Sequence, residues 1–229
     1  MTGAVLEGRS QVLRTRVARL RAAHSYRVVL LLVLVAFAFA AIAGDATWTT
    51  GVLLVLVAAT LAAAAWTSGL IRADSKALIF LLAGVTALAG AVIVDGGNGL
   101  VGAAGILSGV LVIATITAIA IGVVDQNEVN AQSVTGAICI YLLFGIMFLF
   151  LYGAIAVLGS GDFFAQGTDG SRSLRLYFSF VTLATLGYGD YTAAGELARM
   201  LAIIEALIGQ LYLVTVIALL VSRIRTVRR

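Results

Sequence analysis

The sequence predicts an all-α membrane protein with six membrane-spanning helices and one shorter helix that enters the membrane and returns. Of the 229 residues, 62% are hydrophobic and 11% are charged, whereas a soluble domain is about half apolar and about a quarter charged. Six long apolar segments are separated by short polar ones, and each approaches the roughly 20 residues that cross a bilayer core of about 30 Å. Between the last two segments, residues 181–190 form a glycine-containing stretch that interrupts the apolar pattern.

The composition gives no support for an enzyme or for a transition-metal site. The chain has one histidine, His24, and one cysteine, Cys139, so it lacks the set of histidine, cysteine and carboxylate ligands that such sites use. No glycine-rich phosphate-binding loop opens a helix. The net charge of +4 is explained by basic residues that orient the chain in the membrane, so we expect no nucleic-acid partner. Because these ligand sets and loops are missing from the sequence, we also expect no catalysis.

The N-terminal segment, residues 1–27, carries six arginines against one glutamate, with apolar residues at near-helical spacing. This pattern predicts a basic amphipathic helix that lies on the inner membrane surface and contacts lipid headgroups. A signal peptide is the alternative, but its basic region would be long, and no small-residue cleavage site precedes a soluble domain. We therefore expect no cleaved signal.

A four-helix membrane domain is predicted over residues 28–132. The polar turn Asp45–Thr50 contains Trp48, a residue type that favours the membrane interface, and the span after it is expected to continue through Ile71. The domain ends in the polar linker Asp125–Gln132. The four predicted spans are Val28–Gly44, Gly51–Trp66, Ala77–Val94 and Leu100–Val124.

A second membrane domain is predicted over residues 133–222, followed by a short basic tail, residues 223–229. Its middle helix is too short to span. The aromatic and β-branched residues of that helix favour a strand by propensity alone, but its position between two spans indicates a helix that enters the membrane and returns. The predicted elements are the span Ala137–Leu158, the polar loop Gly159–Ser171, the short helix Ser173–Ala184 and the span Leu197–Val221.

The arginines predict the orientation of the chain. If both termini are cytoplasmic, 12 of the 15 basic residues lie on the inner side, as the positive-inside rule expects. The exceptions are Arg172, Arg175 and Arg199. The absence of cysteine pairs and the compact layout favour a multi-pass protein of a prokaryotic plasma membrane.

The stretch Thr185-Leu186-Gly187-Tyr188-Gly189-Asp190 is a poor spanning sequence, because two glycines and a carboxylate interrupt it. Irregular backbone at membrane depth is tolerated only where protein buries it or where it lines a watery cavity. Glycine adopts positive φ without steric cost, and alternating handedness turns successive carbonyls to the same side. The alternative is a chance glycine turn between two helices, but six residues between a short aromatic helix and a full span are a more specific pattern.

This motif resembles the selectivity filter of the potassium channel family, in a six-span subunit with one pore loop. The resemblance implies that the carbonyls of the filter segment, Thr185–Gly189, replace the hydration shell of K+, with no other cofactor. Leu186 stands where valine is usual, a position that contributes only its carbonyl. Because one chain supplies one filter segment, the resemblance implies a homotetramer.

The resemblance also assigns supporting residues. Tyr177 and Phe178 would brace the filter from behind, and Asp190 would support its outer mouth. Val181 stands where some family members have a glutamate, so Asp190 needs another partner, and the sequence does not identify it. In the last span, Gly209 stands at the gating-hinge position; close helix packing is the alternative. The sequence assigns no role to two further residues of this span, Glu205 and Gln210.

Three functions follow from the sequence. The first is a potassium-selective channel that conducts passively. The second is a less selective monovalent cation channel, and the third is a non-conducting accessory subunit or transporter. The span Leu100–Val124 occupies the voltage-sensor position but has no lysine or arginine, so we expect weak voltage dependence. The sequence leaves the gating stimulus open.

Overall fold

The computed structural model describes residues 26–70, 76–95, 97–124, 131–159 and 161–226. This part of the chain is helical, apart from turns, loops and two isolated β-bridges made by Phe164. The predicted amphipathic segment lies outside the described residues, except that Tyr26 and Arg27 begin the first helix. The seven helices are α1 Tyr26–Ile42, α2 Thr47–Thr67, α3 Lys76–Asp95, α4 Asn98–Val124, α5 Ala131–Leu158, α6 Arg172–Leu183 and α7 Glu196–Thr226.

Six of the helices are strongly apolar, and four of these are long enough to cross a membrane by length and composition. Those four lie in α2, α4, α5 and α7. Within the described residues, the remaining two, α1 and the Phe80–Val94 part of α3, form shorter apolar stretches. The all-helical prediction is confirmed, and the chain is a multi-pass membrane protein.

The start and end of α2 differ from the prediction. The residues Thr47–Thr50 were expected in a turn, but they form the first turn of α2. The Thr49 hydroxyl donates to the carbonyls of Ala46 and Gly44, at 2.6 and 2.8 Å, which stabilises the helix start. The helix ends at Thr67, before the predicted continuation, because Gly69 takes a left-handed φ of 73°. Ile71 itself lies outside the described residues.

Two helices of the predicted second domain, α5 and α7, are longer than predicted. Helix α5 begins at Ala131, inside the predicted linker, whose residues 125–130 lie outside the described part. Helix α7 continues to Thr226, past the predicted end at Val221 and into the predicted tail. Helix α6 begins one residue early because the Ser171 hydroxyl accepts a hydrogen bond from Leu174 N, which caps the helix.

Helix α5 joins the two halves of the molecule. One hydrophobic core unites buried residues of α1 to α5. A second core packs the end of α5 against the 159–171 loop, α6 and the start of α7. Most of α7 is exposed on the single chain. The short helix α6 is therefore held from one side by α5 and α1, with α7 on another side.

Candidate functional site

The N-terminus of α6 is fixed to the beginning of α2. The Asp45 carboxylate accepts a 2.9 Å hydrogen bond from Arg172 N, which places a negative charge at the positive end of the α6 dipole. The Arg172 guanidinium donates to the hydroxyls of Thr49 and Thr50, at 2.8 and 2.7 Å. Arg172 is buried. Arg172, one of the exceptions to the predicted orientation, therefore links α6 to the start of α2.

The filter segment folds back onto the C-terminal end of α6. The carbonyl of Val181 accepts from the amides of Leu186 and Gly187, at 2.9 and 3.4 Å, and the carbonyl of Thr182 accepts from Thr185 N at 2.9 Å. These bonds pair carbonyls that the helix end would leave without partners. They also fix the direction in which the chain leaves α6.

Backbone handedness alternates along the filter segment. The φ angles of Thr185, Gly187 and Gly189 are 55°, 57° and 77°, whereas Leu186 and Tyr188 do not have positive φ. For glycine this region carries no steric cost. For Thr185 it costs roughly 1–2 kcal/mol, so the surrounding contacts must hold the strained residue in place.

The carbonyl oxygens of the filter segment have no hydrogen-bond partner within the described part of the chain. Every residue from Ala184 to Asp190 is exposed on the single chain. Five consecutive unpaired carbonyls are unusual, because backbone oxygens in folded proteins are almost always paired with protein or water. Such a row of oxygens is suited to binding water or a cation.

Two side chains hold Asp190, at the outer end of this row. The Tyr177 hydroxyl donates to Asp190 Oδ2 at 2.8 Å, and this hydrogen bond raises the pKa of the Tyr177 phenol. Gln166 donates from Nε2 to the Asp190 carbonyl at 3.0 Å, and its Oε1 accepts from Thr192 N at 3.3 Å. The sequence had left the partner of Asp190 unidentified and had not singled out Gln166. The signal in the sequence that could have identified Gln166 is its polar side chain in the loop before α6.

Phe178, the next residue after Tyr177, contacts different residues. It is buried and makes edge-on ring contacts with Tyr152, Phe163 and Phe164, at centroid separations of 5.3, 5.9 and 5.4 Å. This aromatic cluster fixes α6 against α5 and the loop that precedes it. The two neighbouring aromatics thus have separate functions: Tyr177 binds Asp190, and Phe178 packs α6 into the protein.

Glu205 is fully buried where three helices meet. Its carboxyl group accepts hydrogen bonds from the hydroxyls of Tyr152 on α5 and Ser179 on α6. Ser179 also lies 2.9 Å from the carbonyl of Gly145. The sequence could not orient Glu205 and missed Tyr152 and Ser179. A carboxyl group inside an apolar span was the signal that donors on neighbouring helices should be sought. Gln210 is exposed on the single chain.

Gly209 lies against the C-terminal end of α6. A Cβ atom at this position would come within 2.1 Å of the Leu183 carbonyl oxygen and 3.0 Å of its carbon. Both are backbone atoms, so α7 could not lie this close to the end of α6 if residue 209 were larger than glycine. The structure therefore gives direct support for close packing at Gly209, while a hinge at this residue stays a prediction.

The comparison with protein families defines the class of the chain. Residues 111–226, just over half of the chain, match the family described as ion channel. The chain belongs to this ion channel family. The matched region begins within α4 and contains α5, α6, the filter segment and α7.

A more particular similarity covers 70 residues of the chain. The chain is 39% identical over 70 residues to the inward rectifier potassium channel Kirbac3.1 of Paramagnetospirillum magnetotacticum. That match covers 31% of this chain and 24% of the relative, so the chain spans about a quarter of that protein's length. No solved structure matches the chain.

Proposed function

We propose that this ion channel is selective for K+ and conducts it passively through the filter segments of a homotetramer. The observation that carries the proposal is the row of unpaired carbonyls at Thr185–Gly189, with positive φ at every second residue. A ring of such oxygens replaces the hydration shell of a cation. The similar stretch of a protein named as a potassium channel supports K+ as the ion.

The charges around the filter segment favour a cation. The segment follows the C-terminus of α6, where a helix carries about half a negative charge, and it ends at the Asp190 carboxylate. Lysine and arginine are absent from the sequence between Tyr177 and Asp190. An anion would meet repulsion at both ends of the segment, whereas a cation is attracted at both.

A homotetramer is proposed because one chain contributes a single filter segment and cannot surround an ion. The exposed residues support assembly. Leu186 and Tyr188 are 57% and 67% exposed, and α7 exposes a row of large apolar side chains that includes Leu207, Leu211 and Val214. A closed symmetric assembly would cover these surfaces. The partner of each chain would be another copy of the same chain.

Six spans are proposed, with α1 and α3 crossing the membrane beside the four longer helices. The 17 residues of α1 rise by about 26 Å at 1.5 Å per residue, which is close to the thickness of the hydrocarbon core. With six spans, α6 and the filter segment form a re-entrant loop. Both termini then lie on one side, which we propose is the cytoplasmic side of the plasma membrane.

Ion flux into liposomes tests the function. Vesicles loaded with K+ and carrying the purified protein should show K+ efflux and much smaller Na+ flux. Gly187→Ala should abolish the K+ flux, because alanine meets a penalty of roughly 1–2 kcal/mol at positive φ, on the order of 4–8 kcal/mol for four copies. Gly161→Ala is the matched control, since a Cβ there meets open space and its φ is not positive.

Each outcome separates the candidate functions. Equal K+ and Na+ flux would indicate a less selective cation channel. No flux from correctly assembled protein would favour an accessory subunit. Selective K+ flux from Gly187→Ala would mean that these carbonyls do not form the filter, and the proposal would be wrong.

A further inference from the structure

A cavity of about 380 Å³ separates the N-terminal helices from the α5–α6 pair. Its wall is formed by Thr50 of α2, one face of α4 between Gly99 and Ile106, one face of α5 between Leu149 and Leu158, and two arginines of α6, Arg172 and Arg175. The volume falls within the range of about 300–1,000 Å³ that is typical of ligand sites. We call it the arginine cavity. It lies away from the filter segment and contributes none of the contacts that hold Asp190.

The wall of the arginine cavity is mostly apolar and opens toward the exterior of the helix bundle. Val101, Leu149 and Phe150 line it. Ile106 and Val157, also in the wall, are 52% and 62% exposed. Because α4 and α5 are membrane helices, an opening between them faces lipid. An occupant entering this way would have at least one long apolar part.

The polar end of the cavity is positively charged. The Arg175 Nη1 atom donates to the carbonyls of Asp169 and Gly170, at 2.9 and 2.7 Å. In the described part of the chain, Arg175 Nε is buried and has no hydrogen-bond partner. A Cβ atom built on Gly153, another residue of the wall, would lie 3.8 Å from Arg175 Nε. A buried charged donor without a partner is costly, so an acceptor in the cavity would stabilise it.

The nearby carboxylates are used elsewhere. Asp45 accepts from the backbone amide of Arg172, and Asp169 accepts from that of Phe163 at 3.0 Å. The guanidinium of Arg172 donates to two neutral hydroxyls. Asp45 attracts both arginines and Asp169 attracts Arg175, whereas the charge of Arg175 repels that of Arg172. An anion placed between them would reduce that repulsion.

We propose that the arginine cavity binds an anionic phospholipid, with its phosphate at Arg175 and Arg172 and one acyl chain along α4 and α5. Guanidinium groups bind phosphate oxygens through paired, charge-assisted hydrogen bonds. The free Nε–H of Arg175 supplies one of these bonds, and the apolar wall receives the chain. A free phosphate ion shares the headgroup chemistry but would leave the apolar wall unused.

Native mass spectrometry tests this directly. The protein is reconstituted in vesicles of equal parts phosphatidylcholine and phosphatidylglycerol, extracted into mild detergent, and its retained lipids are counted. The wild type should retain phosphatidylglycerol in preference to phosphatidylcholine. Arg175→Gln should weaken that retention roughly tenfold or more, as expected for the loss of a charge-assisted bond. Added inorganic phosphate should not displace the lipid.

A second variant fills the cavity without changing its charge. Gly105 lies in the wall, and a Cβ there meets no atom within 4 Å, so Gly105→Leu extends into the space for the acyl chain. It should lose phosphatidylglycerol as Arg175→Gln does. The matched control is Gly90→Leu, also at an open helix position. It should retain lipid as the wild type does.

Three results would overturn the proposal. They are equal retention of the two lipids by the wild type, wild-type retention by correctly assembled Gly105→Leu, and displacement by inorganic phosphate. If Arg175→Gln does not assemble, Gly105→Leu and the comparison of the two lipids still decide. None of these measurements depends on ion flux, so a failure of the lipid site is distinguishable from a failure of the proposed potassium conduction.

Discussion

The hydroxyl of Tyr177 donates a 2.8 Å hydrogen bond to Oδ2 of Asp190. It joins the exposed side of α6 to the residue that follows the filter segment, 13 positions later. Val181 has no carboxylate to offer at the position where some members of the family that the motif resembles have a glutamate. The tyrosine hydroxyl therefore takes the place of that interaction and holds the chain where it leaves the filter segment.

Replacing Tyr177 with phenylalanine should destabilise the conducting filter. The variant keeps the ring but removes the donor to Asp190, so we expect steady K+ flux to fall several-fold while assembly is unchanged. Liposome flux and size-exclusion profiles measure the two effects. Tyr191→Phe is the control, because Tyr191 keeps its ring contact with Phe164 and its hydroxyl has no hydrogen bond in the described structure. Equal flux in both variants would show that the Tyr177 bond is dispensable.

Gly209→Ala should reduce the stability of the assembly as well as its conduction. The new Cβ would overlap the Leu183 carbonyl oxygen, so α7 or the end of α6 must move, directly before the filter segment. Gly90→Ala, at an open helix position, should be neutral or stabilising by up to about 1 kcal/mol. Thermal unfolding followed by size exclusion measures this. Normal stability with rarer opening would instead favour a hinge at Gly209.

Glu205→Ala should lower thermal stability, because it leaves the buried hydroxyl of Tyr152 without its acceptor. Ser179 can donate to the Gly145 carbonyl instead. Each buried unsatisfied group costs about 1–3 kcal/mol. Glu205→Gln should be close to the wild type. Its amide oxygen can accept from Tyr152, and its NH₂ group can donate to Ser179, which then donates to Gly145.

The control for this pair is Glu196→Ala, an exposed acid in the same helix. Its loss should cost only a few tenths of a kcal/mol through the helix dipole. Melting curves of the three proteins in detergent give the comparison. A stable Glu205→Ala variant would show that the buried carboxyl group does not hold α5, α6 and α7 together.

Voltage should change the open probability only weakly. Helix α4, Asn98–Val124, has no lysine or arginine, and moving one charge through about 200 mV would supply about 4.6 kcal/mol. Recordings from reconstituted bilayers, stepped over that range, should show nearly constant open probability. A steep activation curve would contradict this prediction and would assign gating charge to another part of the chain.

The membrane class, the helical segments and the location of the motif could be predicted from the amino-acid sequence. These properties are local: a span is recognised from the length and polarity of one segment measured against the bilayer. Helix ends were less well predicted. The start of α2 depends on hydroxyl bonds of Thr49 to the preceding turn, and apolar patterning does not report such bonds. Tetramer assembly and K+ selectivity stay predictions.

The distant residues that complete the site could be identified only from the packing of the helices. Glu205 meets Ser179 and Tyr152, which are 26 and 53 positions away, and Arg172 meets Thr50 from 122 positions away. The hydropathy of Glu205 or Gly209 does not depend on which residue lies next to it in the fold, so a hydropathy pattern cannot identify these contacts. Their roles follow from helix packing, because a buried carboxyl group needs donors, and a backbone approach that excludes a Cβ needs glycine.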